Sequence, residues 1–324
     1  MKHMREDGQR MKKYRLTAWI LICILTLSGC GMVGDTKSEH EPKIFGATYM
    51  TRNNPYFDVL HEAIEEVVQA NGDILISRDP SQNQEKQNDQ IQEMIDEGIE
   101  VLFLNPVDLE KVRPALEACQ KAGVVVIDID TMVKDMEYVT AAIETDNYQA
   151  GVLCAQDMMK RVSQAKIVVI NNPIQASINN RIKGFMDTVA DNPNYEIVAQ
   201  AVGAGEFEIS ADAMATILKT NVEFDVVMGG NDPTALGALA SLQQYHREDG
   251  VLIYGIDGSP DFKSMLKLGY VTGTSIQSPK TIGRVAAEAA YQYLDGEEVE
   301  PYISIEPEML TRENLGDYEI NGWQ

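Results

Sequence analysis

From Lys43 onward, short runs of Val, Ile and Leu alternate with stretches whose apolar residues recur at helical spacing, which confines the chain to an α/β architecture. Strands are predicted over Ile44–Met50, Ile74–Ser77, Val101–Leu104 and Val124–Ile129, separated by helices over Pro55–Ala70, Gln84–Glu97 and Leu109–Ala122. Strands this continuously apolar are buried on both faces, as in a parallel sheet with helices on either side. The same pattern then repeats. Helices are predicted over Tyr148–Arg161, Ile178–Ala190, Ala211–Lys219, Ala235–Tyr245 and Thr281–Leu294. Their strands are Ala165–Ile170, Ile197–Ala201, Asp225–Met228, Leu252–Ile256 and Val271–Ile276, and Tyr302–Leu310 alternates like an extended segment. A chain of 324 residues exceeds what one core usually organises, so two doubly wound parallel-sheet lobes are expected. No Gly/Ser-rich linker separates them, which suggests several crossovers between the lobes instead of one tether.

The first thirty residues differ in kind. Lys12, Lys13 and Arg15 precede a largely apolar stretch, Leu16 to Leu27, too short to span a bilayer comfortably and flanked like the apolar region of a signal peptide. It ends in Leu27-Ser28-Gly29-Cys30, which resembles the lipobox of bacterial lipoproteins. The resemblance implies a signal over 1–29, cleavage before Cys30 and lipid on its thiol and new amino group. Residues 30–42 then read as a lipidated tether. Met11, placed just before the basic flank, is an alternative start to Met1.

Charge narrows the partners. The formal net charge is −23, and residues 1–29 hold six basic and two acidic side chains, so the remainder carries −27. Such a surface repels nucleic acid and anionic lipid, and no nucleic-acid role is expected. Cys119 and Cys154, each set among apolar residues, read as buried free thiols. The four histidines (His3, His40, His61, His246) show no paired-ligand spacing, so neither a metal nor another cofactor is expected.

In open α/β sheets a ligand binds beyond the carboxyl ends of the strands. Those ends carry Thr51-Arg52-Asn53-Asn54-Pro55-Tyr56-Phe57, Asn105-Pro106, Asp128-Ile129-Asp130, Asn171-Asn172, Gly230-Asn231-Asp232, Asp257-Gly258 and Gln277. Carboxylates and amides beside aromatic rings suit a sugar, whose hydroxyls both donate and accept and whose C–H faces are apolar. No Gly-rich phosphate turn is present. An amino-acid site would need a cation for the α-carboxylate, which Arg181 could supply. Several residues also have plain readings. Asn54-Pro55 can be a turn and helix start, Arg181 a surface ion pair, and Asp146 and Asp232 helix caps.

The stretches N-N-P-Y-F (53–57), L-N-P-V-D (104–108), T-D-N (145–147), R-I-K-G-F (181–185), N-D-P-T-A-L-G-A-L (231–239), Y-G-I-D-G-S-P-D (254–261) and I-Q-S-P (276–279), in this order, resemble the ribose-binding-protein group of periplasmic sugar-binding proteins. The resemblance covers nearly all of 43–310. It implies a two-lobed flytrap with a three-segment hinge near Asp146, Gln277 and Pro307. The lobes would be 43–145 plus 278–306, and 146–277 plus 307–324. It further implies ligand roles for Asn54, Tyr56, Phe57, Asn105, Asp130, Arg181, Asn231, Asp257 and Gln277. Asp128 and Asp130 alternate along one strand, so only one faces the cleft, and the resemblance selects Asp130. Thr131 stands where the family's ribose binders carry an arginine, and Phe207 matches the second-lobe aromatic only with a shift in spacing.

What the resemblance implies is an extracytoplasmic lipoprotein, expected as a monomer. It would capture a pentose, hexose or related polyol and deliver it to an ABC permease. A sensor presenting its closed lobes to a chemoreceptor or histidine kinase is the alternative. No enzymatic activity is expected, since no serine–histidine–carboxylate set stands out. A repressor core of this architecture would need an N-terminal helix-turn-helix where a signal stands instead.

Overall fold

In the computed structural model, β1 (Ile44–Thr48), β2 (Ile74–Arg78), β3 (Val101–Leu104), β4 (Val125–Ile129), β5 (Ala141–Thr145) and β11 (Tyr302–Ile305) form a parallel six-stranded sheet. Its order is β11-β5-β4-β3-β1-β2. A second six-stranded sheet contains β6 (Ala165–Asn171), β7 (Tyr195–Val202), β8 (Val226–Gly229), β9 (Leu252–Asp257), β10 (Gly273–Ile276) and β12 (Glu308–Thr311). Its order is β12-β10-β9-β8-β6-β7, and β12 alone runs antiparallel. The structure describes residues 41–324, and Pro42–Gln324 form one unit. The expected signal, Cys30 and most of the tether lie outside the described residues. No helix among the described residues is long and apolar enough to cross a membrane.

Both sheets are covered on both faces, as the apolar strands require. Alternate residues of one strand enter different cores: Val101 and Phe103 pack with one cluster, Leu102 and Leu104 with another. In the second sheet Val168 and Ile170 divide in the same way from Ile167 and Val169. The covering helices of the first sheet are α1 (Pro55–Ala70), α2 (Gln84–Asp96), α3 (Arg113–Ala122) and α9 (Pro279–Leu294). Those of the second are α4 (Asn147–Arg161), α5 (Ala176–Ala190), α6 (Phe207–Leu218), α7 (Asp232–Gln244) and α8 (Pro260–Leu268). In each sheet the strand order reverses direction beside the first strand, between β1 and β3 and between β6 and β8. That is where ligands of such folds bind.

The chain passes between the sheets three times: after β5 at Asp146, after β10 at Gln277–Ser278, and between β11 and β12 at Glu306–Pro307. Two of the crossings touch, since Asp146 N donates to Ile305 O at 2.9 Å. The predicted extended segment over Tyr302–Leu310 is therefore two strands in two different sheets, broken at Pro307. Strand β5 was not predicted, because Ala141-Ala142-Ile143-Glu144-Thr145 has one large apolar residue. Helix α8 was not predicted either; only Phe262, Lys263 and Leu266 of its nine residues are buried. Helix α3 begins at Arg113, four residues later than expected. Pro114 sits in its first turn, and Asp108 ties down the preceding loop by accepting from Glu110 N at 3.0 Å and Lys111 N at 3.1 Å.

Candidate functional site

The carboxyl ends of both sets of strands converge on a cavity of about 600 Å3, a size suited to a small-molecule ligand. Eight of the nine residues singled out from sequence line it: Asn54, Tyr56, Phe57, Asp130, Arg181, Asn231, Asp257 and Gln277. The ninth, Asn105, stands behind the wall. It is fully buried, its Oδ1 accepts from Met50 N at 3.0 Å, and its Nδ2 donates to Ile129 O at 3.2 Å and to Asp130 Oδ2 at 3.0 Å. Its amide is thus spent within the protein, and it holds Asp130 in place instead of facing the cavity.

Two carboxylates sit on unusual backbone. Asp130 has φ 68° and Asp257 φ 146°, conformations that cost an L-residue energy and concentrate at functional sites. Asp257 Oδ1 accepts from Gln277 Nε2 at 2.7 Å and from Arg181 Nη1 at 3.3 Å. Arg181 also donates from Nη1 to Gly230 O at 3.2 Å and from Nε to Asn147 Oδ1 at 2.7 Å. Its exposure is only 3 %, so this guanidinium is a buried cation held by the lobe and not a surface ion pair. Burial raises the Asp130 and Asp257 carboxyls, and the Arg181 charge opposes that rise in both. Tyr56 is 2 % exposed, and burial pushes its phenol well up, followed by the effect of the Asp130 charge. Its hydroxyl lies beside that carboxylate and helps to hold the Asp130 carboxyl down. Gln277 Oε1 is buried without a partner. The site therefore presents an acceptor position on Gln277 that the described residues do not satisfy.

Asn54 and Asn231 do two things at once. Each caps its helix, Asn54 Oδ1 accepting from Tyr56 N at 3.1 Å and Asn231 Oδ1 from Thr234 N at 2.9 Å, while lining the cavity. Asp146 caps α4 through Gln149 N at 2.8 Å, as expected. Asp232 does not cap α7. It is fully buried, and its carboxylate accepts from Ser259 N and Thr274 Oγ1, both at 2.7 Å, bracing the loop after β9. Asp128 points away from the cavity and accepts from Val133 N at 2.8 Å. Thr131 lies outside the cavity wall as well. Its Oγ1 accepts from Ser177 N at 2.9 Å, and Leu109 N donates to Ile174 O at 3.2 Å, so two bonds close one side of the cleft across the lobes.

Gln175, Ser177, Leu236, Ser259 and Trp323 also line the cavity and were not foreseen. Asn171 and Asn172 had marked the end of β6, but their amides bond locally to Asn179 at 3.2 Å and Gln175 at 2.7 Å. The start of α5, one turn further along, reaches the site instead.

A buried polar chain runs from the site into the crossings. Asn147, which holds Arg181, donates from Nδ2 to Glu144 Oε2 at 2.9 Å, and the Tyr302 hydroxyl donates to Glu144 Oε1 at 3.0 Å. Burial pushes the Glu144 carboxyl up to about 7. A native value above the roughly 4.3 of an unfolded chain means that the folded state binds the extra proton. The stability this supplies is full below about pH 4 and is lost as pH rises through 7, a change of about 4 kcal/mol across the window. The melting temperature is expected to fall between pH 5 and pH 8, and Glu144→Gln to flatten that slope. Thermal melts of both proteins across this range check it; identical slopes would contradict the assignment.

Comparison with known proteins agrees with this geometry. The model of the periplasmic binding protein domain family matches residues 45–298. The ribose import binding protein of Bacillus subtilis (strain 168) is 27% identical over 269 residues, covering 82% of this chain and 87% of that protein. The xylitol-binding protein of Mycolicibacterium smegmatis is 24% identical over 294 residues, covering 90% of this chain and 83% of that one. Among solved structures, an ABC transporter solute binding protein from Bacillus halodurans C-125 with bound myo-inositol superposes with a TM-score of 0.80 at 23% identity, covering 86% and 98% of the two chains. The fold of two doubly wound sheets is thus shared with that structure. The chain belongs to the periplasmic binding protein domain family.

Proposed function

We propose that this chain captures a small neutral carbohydrate between its lobes and delivers it to an ABC permease, while lipid on Cys30 holds it at the outer face of the cell membrane. The observation that carries the ligand class is the buried set Asp130, Asp257, Arg181 and Gln277, which lines one cavity with the Tyr56 and Phe57 rings. Each sugar hydroxyl both donates and accepts, and such a set answers both. Charge supports neutrality. Asp130, Asp257, Glu206, Glu208 and Asp261 line the cavity against the single guanidinium of Arg181, an arrangement that disfavours sugar phosphates and sugar acids. Arg181 is already paired with Asp257, which leaves no unpaired cation among the described residues that line the cavity for the α-carboxylate of an amino acid. The ligands named for two relatives, ribose and xylitol, are both polyhydroxylated carbon chains.

In this reading the three crossings are the hinge, and the lobes are 43–145 plus 278–306 and 146–277 plus 307–324. Ligand bonds to residues of both lobes favour the closed form, which the permease recognises. The cleft is complete within one chain, consistent with a working monomer. The test of the partner is co-purification of the full chain from detergent-solubilised membranes. Recovery with a permease is expected, and Cys30→Ala is expected to release the chain from the membrane fraction. Recovery with a histidine kinase and no permease would contradict the transport reading.

A further inference from the structure

The chain holds two tryptophans, Trp19 and Trp323, and only the second lies among the described residues. Trp323 belongs to a segment that bridges the two lobes. On the second-sheet side, Tyr318 and Ile320 pack against the core. Lys263 of α8, fully buried, donates from Nζ to Glu319 O at 2.7 Å and to Gly322 O at 2.5 Å. A buried ammonium is costly unless its acceptors are firmly held, so these two bonds fix the backbone on either side of Asn321. One residue further on, the Trp323 side chain packs with the core of the first sheet. Its ring lies 5.6 Å from that of Tyr56 at 73°, an edge-to-face contact, and it lines the cavity. Phe207 also lines the cavity but is 42% exposed and has no aromatic partner among the described residues. The aromatic ring that is anchored on the second-sheet side is thus Trp323.

We propose that Trp323 is a ligand-contacting residue, its indole serving as an apolar wall for the C–H face of the bound carbohydrate. The inference rests on the carbohydrate reading given above and names a contact that the strand-end residues do not supply. The indole touches Tyr56 of the first lobe while its segment is tied to the second, so the wall is complete only when the lobes are together. A polyol with a continuous C–H face is favoured by such a wall, and a ligand without one gains nothing from it.

The test uses the full chain in detergent with a panel of pentoses, hexoses and polyols. Binding is followed by thermal shift and by tryptophan emission, and the spectrum of Trp323→Phe is subtracted to isolate the contribution of Trp323. A sugar that raises the melting temperature is expected to change the emission of Trp323. Trp323→Ala is expected to weaken that sugar about ten-fold, whereas Trp323→Phe, which keeps a ring, retains most of the affinity. A sugar that binds with unchanged emission and equal affinity for Trp323→Ala overturns this assignment and leaves the carbohydrate reading standing. If no member of the panel raises the melting temperature, both fall.

Discussion

Asp257→Ala is expected to abolish the ligand-induced rise in melting temperature, whereas Asp128→Ala leaves that rise intact and lowers only the stability of the free protein. The two aspartates share a residue type, burial and a place at the end of a central strand, so the contrast isolates direction. Asp257 faces the cavity and accepts from both Arg181 and Gln277. Its removal leaves Arg181 without its carboxylate and deletes an acceptor for the ligand at the same time. A ligand at a hundred times its dissociation constant stabilises the intact protein by about 2.7 kcal/mol. For a chain of this size that is a rise of roughly 5 °C, and Asp257→Ala should show none of it. Asp128 instead holds Val133 N with one oxygen, and the other is buried without a partner. Burial raises its carboxyl well above the usual range. Its loss costs about 1 kcal/mol of hydrogen bonding and leaves the cavity wall untouched. Thermal melts of both variants with and without ligand read out the contrast directly, and the opposite pattern would mean that β4 and β9 face the cavity differently.

The second large effect comes from a residue with no side chain. Helices α4 and α5 cross at Gly151 and Gly184. A Cβ on Gly151 would lie 1.8 Å from Arg181 O and 2.8 Å from Phe185 N, and one on Gly184 would lie 2.0 Å from Tyr148 O. Both obstacles are backbone, which cannot swing aside as a flexible side chain would. Gly151→Ala must therefore push α5 away from α4, carrying Arg181 off its bonds with Asn147 and Asp257. Overpacking of this kind costs about 3 kcal/mol or more, a drop in melting temperature of several degrees. Ligand affinity should fall in parallel, because the helix that moves is the one that presents Arg181. Ala at Gly98, where no atom lies within 4 Å, is the comparison for backbone strain alone, since its φ is 88°. A Gly151→Ala protein that melts and binds like the parent would contradict the close crossing.

Much of this arrangement was legible in the sequence because strand and helix periods are local. Val101-Leu102-Phe103-Leu104 declares a strand buried on both faces without reference to anything distant. Asn54-Pro55 declares a helix start in the same way, with the amide as cap and the proline in the first turn. Asp257 was readable because a carboxylate ending a buried strand favours a site, whereas Asp130 was told from Asp128 on the same strand only through the family resemblance. What escaped was decided by contacts between distant parts of the chain. Strand β5 is held by β4 on one side and by β11, more than 150 residues away in sequence, on the other. Asn105 looked like a ligand residue because residue type and position do not reveal that its amide is already spent on Met50, Ile129 and Asp130. Thr131 read as a missing donor, yet it bonds the opposite lobe at Ser177. Trp323 carried no local signal at all, for it reaches the cavity only through the anchoring of its segment by Lys263.

The central claim is that the cavity binds a neutral, polyhydroxylated ligand, and calorimetric titration of the full chain in detergent tests it most directly. The panel is pentoses, hexoses, polyols, nucleosides, sugar phosphates and amino acids. Saturable binding of at least one neutral sugar or polyol, abolished by Asp257→Ala, is the predicted result. Binding of an amino acid or a sugar phosphate, with none of the neutral compounds taken up, would contradict it.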